Sequence, residues 1–528
     1  RAERSVRTFC LEGGMCLSSE GAGTRLFDEN AGLTGERLRY STSKRSNGRR
    51  TTFASRPQPQ GWGPATARHR QTGYSALPGW VTPGWAKLGW GPSEQEGSYM
   101  ELNGAAFSFE VPDTWERVPF EGMVVASAPP EYLDFRPTVV LTESRVDDAG
   151  PTTLASIAQM ALRTIPQETP GAYVVHVEAV PDENAGPGPQ ERRRIWALAP
   201  LRHPANDLLG LVFVQDHMVA GNAVAELTIT LPVFTWQCDN SFKRILDSLR
   251  PSGHGLPSRP MINIPEAVLD QWATERDGVP REDVTVQGYL PPVLLGNTYE
   301  LSTGALNELK SLSSAGFFGK RMRGQPPREE LRTIGFIDDD GDPTERGEAL
   351  LGVLDHGNYW SLENAGPIED SRTVEGWGVE EAILTFIGPA ANDQDSSEKG
   401  LLCYCAADDL ARVLLMWSGA QPSWKMSFTL PEITQKELLG RLIDHPFPQQ
   451  LEGDAAAFAA ERWQQFSFAD AAGERGIGWI TTPYRGPALC SQGSREDGIV
   501  IASPVGQMLW EYLSMAAISI NFGETSGV

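Results

Sequence analysis

Cysteine and histidine are scarce, six and seven in 528 residues. The cysteines, Cys10, Cys16, Cys238, Cys403, Cys405 and Cys490, are too few and too scattered for a disulfide framework. Cys403 and Cys405 stand two apart in the strand-like run LLCYCA and so share a face. No second Cys/His pair falls at ligand spacing, which leaves buried thiols in a reducing compartment. The histidines are isolated; only His176 and His217, both in strand-like segments, are candidates to meet in space, against a structural role for each. No run of eighteen apolar residues occurs, which excludes a membrane span. No apolar h-region opens the chain, so no signal peptide is visible and Cys16 in GGMC reads as no lipid-attachment site. The G-x-S-x-G, H-E-x-x-H and G-x-G-x-x-G motifs are absent. Gly316-Phe-Phe-Gly-Lys320 is too short for a phosphate loop and is followed by Arg321.

Positive charge is also short where it would matter. Residues 1–98 hold 14 Lys/Arg against 8 Asp/Glu and the remainder 31 against 60, so +6 precedes −29 in the total of −23. A body this acidic repels phosphate backbones, so no nucleic-acid partner is expected; the acidity serves solubility.

What is present begins with Leu331–Leu354, LRTIGFIDDDGDPTERGEALLGVL. Its first part reads as strand-like (Thr333, Ile334, Phe336, Ile337) and is followed by an acidic turn. Thr344 then caps a helix whose positive end holds Glu345 and Glu348 and whose apolar stripe is Leu350, Leu351 and Leu354. Asp338, Asp340 and Asp342 alternate like a calcium loop, yet no Gly stands sixth and Ala349 occupies the twelfth place, where a bidentate Glu is needed. A solvated turn is the reading.

The fold class expected is α+β, in two linked domains. Residues 1–98 read as a disordered leader or upstream sequence, rich in Arg, Ser, Gly and Thr and ending in three Gly-Trp pairs, with Met100 as the natural start. Residues 99–250 alternate as strands at 138–143, 172–180, 192–201, 208–217 and 224–233. Helices at 153–163 and 241–249 pack on that antiparallel sheet, with Trp115 as an aromatic anchor. Residues 251–260 are a linker, 261–517 a second domain and 518–528 a tail. The opening FSFEVPDTW and the closing SFKRILDSL give the first domain a resemblance to the LpqN/LpqT family and the wider PsbP-like fold. Some proteins of that fold act as chaperones for secreted effectors, and others have no settled activity.

In the second domain, helices are expected at 264–272, 302–315, 434–442, 455–463 and 505–515. Strands are expected at 284–290, 382–387, 400–405, 476–481 and 499–502, with a hairpin of Val413–Trp417 and Trp424–Leu430. Asp408/Asp409 read as a helix start. PPVLL, the DG turn, ITQKELLGRLI and RGIGWITTPYRG, in that order before a closing amphipathic helix, resemble the EspG family of actinobacterial type VII (ESX) secretion-associated proteins. That resemblance implies a cytoplasmic chaperone that keeps helical secretion substrates, PE/PPE-like pairs or WxG-like proteins, soluble before export.

The candidate binding surface is the hairpin, where Trp424, Met426 and Phe428 share one face and Leu414, Met416 and Trp417 lie in a run apolar on both. One face packs on the domain's helices. The other is covered by a further helix of the domain or by an amphipathic partner helix. No catalytic residue, cofactor or metal ligand is assigned, and the chain reads as a non-enzymatic adaptor. The alternatives are a winged-helix-type regulator built on Ser302–Leu354, or a hydrolase of unrecognised type. The oligomeric state is not readable from the sequence.

Overall fold

The computed structural model describes residues 6–11, 15–20, 24–28 and most of 98–522; within 98–522 the longest stretch outside the described residues is 253–297. The linker beyond residue 252, the 264–272 helix, the 284–290 strand, PPVLL and Gly316–Lys320 all lie outside them. Within 1–98, three strands, β1 (Val6–Leu11), β2 (Met15–Glu20) and β3 (Thr24–Asp28), pair antiparallel.

The first unit opens with β4 (Tyr99–Asn103) and β5 (Phe107–Pro112), joined at the unit's end by β13 (Arg250–Pro251). Its main sheet holds β6 (Glu116–Val118), β7 (Met123–Ser127), β8 (Thr138–Arg145), β9 (Tyr173–Pro181), β10 (Glu191–Arg202), β11 (Leu208–Ala220) and β12 (Ala223–Pro232). These run in the spatial order β9-β10-β11-β12-β8-β7-β6, antiparallel throughout. Alternation along the strands buries both faces. Ile195 and Ala197 meet the helix Leu154–Glu168 through Ala158 and Leu162, whereas Trp196 and Leu198 point to the opposite core. Glu143 ties the small sheet to the large one by accepting from three backbone N–H groups, of Ala105 (2.6 Å), Ala106 (2.8 Å) and Phe107 (2.8 Å). Trp115 is the expected anchor, buried edge-on to Phe242 with ring centroids 6.0 Å apart.

The second unit is a ten-stranded antiparallel sheet that repeats itself. Its strands are β14 (Thr298–Ser302), β15 (Asn358–Ala365), β16 (Thr373–Val379), β17 (Ala382–Ile387), β18 (Lys399–Ala406), β20 (Ile433–Thr434), β21 (Gln464–Asp470), β22 (Gly476–Thr482), β23 (Gly486–Gln492) and β24 (Gly498–Ala502); the two-residue β19 (Ser423–Trp424), between β18 and β20 in the chain, joins the first unit's sheet instead. The spatial order is β14-β18-β17-β16-β15-β21-β22-β23-β24-β20. Each half is therefore one edge strand, outer helices, a four-strand meander and a closing helix, and the halves meet where β15 pairs with β21. In the first half the outer helices are Thr303–Ala315, Pro326–Ile334 and Glu345–His356; in the second they are Gln435–Leu442 and Gly453–Ala460. The closing helices are Leu410–Ser418 and Gly506–Phe522, the latter running beyond the 517 boundary read from sequence. Matching caps mark the repeat, because Ser302 accepts from Ala305 N–H (3.1 Å) as Thr434 accepts from Glu437 N–H (3.2 Å).

Both faces of this sheet are covered by the chain itself. Leu384 and Phe386 pack on the outer helices, while Ile383 and Ile387 face the closing pair. Gly376 leaves room for the Trp360 indole, since a Cβ there would come within 2.2 Å of the ring. The closing pair is shared, for its far side packs on the inner core of the first unit. The molecule is therefore α+β with a helix pair sandwiched between two antiparallel sheets.

Two sequence expectations are corrected. Val413–Trp417 is part of a helix, and the Val413–Leu430 hairpin does not form. Leu410–Ser418 is buried along its whole length, so it shows no polar face and reads equally well as a strand. Gly419, left-handed at φ 63°, ends it, and Asp408/Asp409 begin it as expected. Thr333 and Ile334 end a helix and are not part of a strand, while Ile337 makes only an isolated bridge to Pro343. The helix cap at Thr344 stands as expected, accepting from Gly347 N–H.

Candidate functional site

Four of the residues singled out in the sequence, Leu414, Met416, Trp417 and Phe428, belong to the interior. Leu414, Met416 and Trp417 are 0%, 1% and 2% exposed, and Phe428 is buried in the second half's outer core. Trp424 lies in β19 with its side chain outside the described residues, and Met426 lies outside them altogether. The apolar face reserved for a partner is closed by the chain's own first unit. Trp417 packs edge-on to Phe466 at 5.9 Å, and Phe466 stacks on Trp479 at 5.6 Å, so this region is an aromatic core.

Polar contacts fix the junction between the units. Asp408 Oδ1 accepts from Gly210 N–H (2.8 Å), the Tyr173 hydroxyl donates to Ala420 O (2.6 Å), and the Trp236 indole donates to Glu511 (3.0 Å). Arg412 grips Asp409 through two bonds of 2.7 Å and donates to Gly171 O (3.0 Å) on the first unit. β19 lies parallel to β9, pairing Ser423 with His176, so the second unit also adds an edge strand to the first unit's sheet. Burial, only partly offset by the Arg412 charge, raises the Asp409 carboxyl above its usual 3.8.

His176 and His217 do not meet. His176 stands opposite Trp196 and His217 opposite Arg193, which puts them on opposite faces of the sheet and two strands apart. Burial pushes the His217 pKa below 6.5, against the opposing pull of Glu226 on β12 and then of Asp216. The neutral imidazole is thus the folded form. Its contribution to stability is present above about pH 6.5 and is lost as pH falls through the depressed value, because the unfolded chain binds the proton first. The urea midpoint should fall between pH 7.5 and pH 5.5, and His217→Gln should flatten that slope. An unchanged slope in the variant would assign the acid loss to other groups.

The remaining titratable clusters are structural. Burial pushes the Cys405 and Cys490 thiols to about 12 and the Cys403 thiol well above its usual value, which disfavours the thiolate in all three. Cys403 and Cys405 share a face as expected and both contact Thr385. Asp338 Oδ1 accepts from Asp340 and Asp342 N–H (2.9 Å each), the solvated turn. No group of three or more His, Cys, Asp or Glu able to hold a metal occurs among the described residues.

The surface feature that stands out lies on the second half's outer face. Helix Gln435–Leu442 buries Leu438 and Leu442 but leaves Leu439 and Ile443 51% and 60% exposed. Aligning the caps Ser302 and Thr434 sets Leu306 against Leu438, both buried, and sets exposed Asn307 and Ser311 against Leu439 and Ile443. The same solvent-facing positions are therefore polar in one repeat and apolar in the other. Past the end of this helix opens a groove of about 440 Å³ lined by Phe447, Leu451, Ala456 and Ala460 together with Arg441, Asp444 and His445. Arg441 braces its floor, donating to Ala459 O (2.8 Å) with the guanidinium 5.1 Å over Trp463. Asp444 is the one non-glycine residue at positive φ (66°) among the described residues and ends the helix. In sequence, LLGRLI offered the signal: four apolar residues make a stripe wider than one buried face needs.

No family model and no curated protein matches the chain. Solved structures similar to it include PsbP-like and LpqN folds at low identity and coverage. Cyanobacterial PsbP (CyanoP) from Synechocystis is 12% identical over 30% of this chain and 96% of its own, with a TM-score of 0.24. LpqN of Mycobacterium tuberculosis, described as involved in cell envelope biogenesis, is 16% identical over 29% and 91%, with a TM-score of 0.22. A Bacteroides thetaiotaomicron protein is 12% identical over 52% and 82%, with a TM-score of 0.19. Among the described residues no helix is long and apolar enough to cross a membrane.

Proposed function

We propose that this protein is a non-enzymatic, cytoplasmic adaptor or chaperone of a type VII (ESX) secretion system, holding an amphipathic helical client. The client surface is the outer face of the second repeat, around Leu439 and Ile443, with the groove past the end of their helix, and not the buried 410–418 segment. The observation that carries this reading is the change from Asn307 and Ser311 to Leu439 and Ile443 at equivalent solvent-facing positions. A helix with an apolar stripe can lie on such a pair and seat one bulky side chain in the groove. The resemblance of the second unit to EspG proteins supplies the class of client, a helical secreted protein or pair.

The test is co-expression with helical secreted pairs of the PE/PPE type or with WxG-like proteins, followed by purification through the adaptor. A soluble complex is expected. Leu439→Glu/Ile443→Glu should weaken it by more than about 30-fold, because each side chain is an anchor of the kind that contributes roughly 2 kcal/mol. The same variant should leave the unfolding free energy within about 0.5 kcal/mol of the parent, since both positions are exposed. A complex insensitive to the double substitution would remove this surface from the account.

A further inference from the structure

Leu439 and Ile443 sit one turn apart on helix Gln435–Leu442 and its C-cap, with exposed Lys436 on the same face near the start and exposed Asp444 just past the end. Such a face is complementary to itself. Two copies laid antiparallel about a twofold axis between Leu439 and Ile443 set Leu439 against the partner's Ile443, and Lys436 against the partner's Asp444, each contact occurring twice. The same orientation brings each positive helix start beside the partner's negative helix end. A parallel arrangement would instead oppose like charges and like ends. The chain's net charge of −23 opposes random association, but on this helix and its end Lys436 offsets part of the charge of Glu437, which is held by Thr434, and of Asp444, which lies 3.9 Å from its own Arg441.

We propose that two copies of this chain pair antiparallel through their Leu439–Ile443 faces, and that this pairing covers the client surface when no client is bound. The pairing stands on the geometry of the face; the regulatory half rests on the client reading given above. Two short helices bury far less than the roughly 1,200 Å² of a stable complex, so the dimer is weak and reversible. That suits a surface that has to open, and client and second copy exclude one another.

Sedimentation equilibrium of the full chain over micromolar to submillimolar concentration tests the pairing directly. A monomer–dimer equilibrium is expected, and Leu439→Glu/Ile443→Glu should be monomeric throughout. Lys436→Glu should weaken pairing about tenfold, because two attractions become two repulsions. Lys436→Glu/Asp444→Asn should recover part of that loss, Asn being tolerated in the left-handed backbone of position 444. A wild-type chain that stays monomeric, or a dimer indifferent to the two glutamates, overturns the proposal. A dimer that responds as described, with no client captured on co-expression, leaves the pairing standing and removes the client reading instead.

Discussion

Arg412→Met is expected to lower the unfolding free energy by about 3–5 kcal/mol, the loss typical when one partner of a buried ion pair is removed. Arg412 is 1% exposed, and its guanidinium is the partner of buried Asp409 as well as a donor to Gly171 O across the junction. Methionine fills much of the volume but leaves the carboxylate alone in an apolar layer. Asp409 would then hold its proton to higher pH than it already does, because the charge that opposes burial has gone. The sign follows: a carboxyl with a raised folded pKa is most destabilising when ionised, so the deficit should be largest near neutral pH and shrink as pH falls toward 4. Urea unfolding of parent and variant at pH 7.5 and 5 checks both magnitude and trend. A deficit that does not change with pH would mean that Asp409 finds another partner.

The second large effect is expected at Gly210. A Cβ there would lie 2.5 Å from the Asp408 carbonyl carbon and oxygen and 2.7 Å from Asp409 N, all backbone atoms that cannot rotate aside. Gly210→Ala therefore drives a wedge between the first sheet and the start of the 410–418 helix, breaking the 2.8 Å bond from Gly210 N–H to Asp408. The loss should reach about 1–3 kcal/mol from overpacking and further from the broken hydrogen bond. Thermal unfolding should move down by several degrees, with protease cleavage appearing at the junction before global melting. A variant as stable as the parent would show that the two units are free to shift apart without loss.

Much of the first unit was legible because its strands alternate and its helix at 154–168 keeps one apolar stripe. The second unit was harder for a physical reason. Its central strands NYWSLENA and QQFSFAD alternate over only two buried residues each, Trp360 and Leu362 or Phe466 and Phe468, and in TVEGWGV glycines take the places opposite bulky aromatics, as Gly376 faces Trp360. The repeat escaped notice because its halves differ in helix count and share little beyond caps and core positions such as Leu306 and Leu438. The candidate site was misplaced by the same ambiguity: a run apolar enough to bind a partner is also apolar enough to fill a core. Leu439 and Ile443 were overlooked because they sit inside an amphipathic helix that looks ordinary until it is set beside Asn307 and Ser311.

The sandwiched helix pair has a consequence for biosynthesis. Trp236 meets its partner Glu511 across 275 residues of chain, and Tyr173 meets Ala420 across 247. At roughly 5–20 residues per second, a ribosome needs about 15–55 s after finishing the first sheet to deliver the last of the segments that cover it. Throughout that interval the core around Trp196 and Leu198 lacks part of its cover, which makes the nascent chain a customer for holding factors.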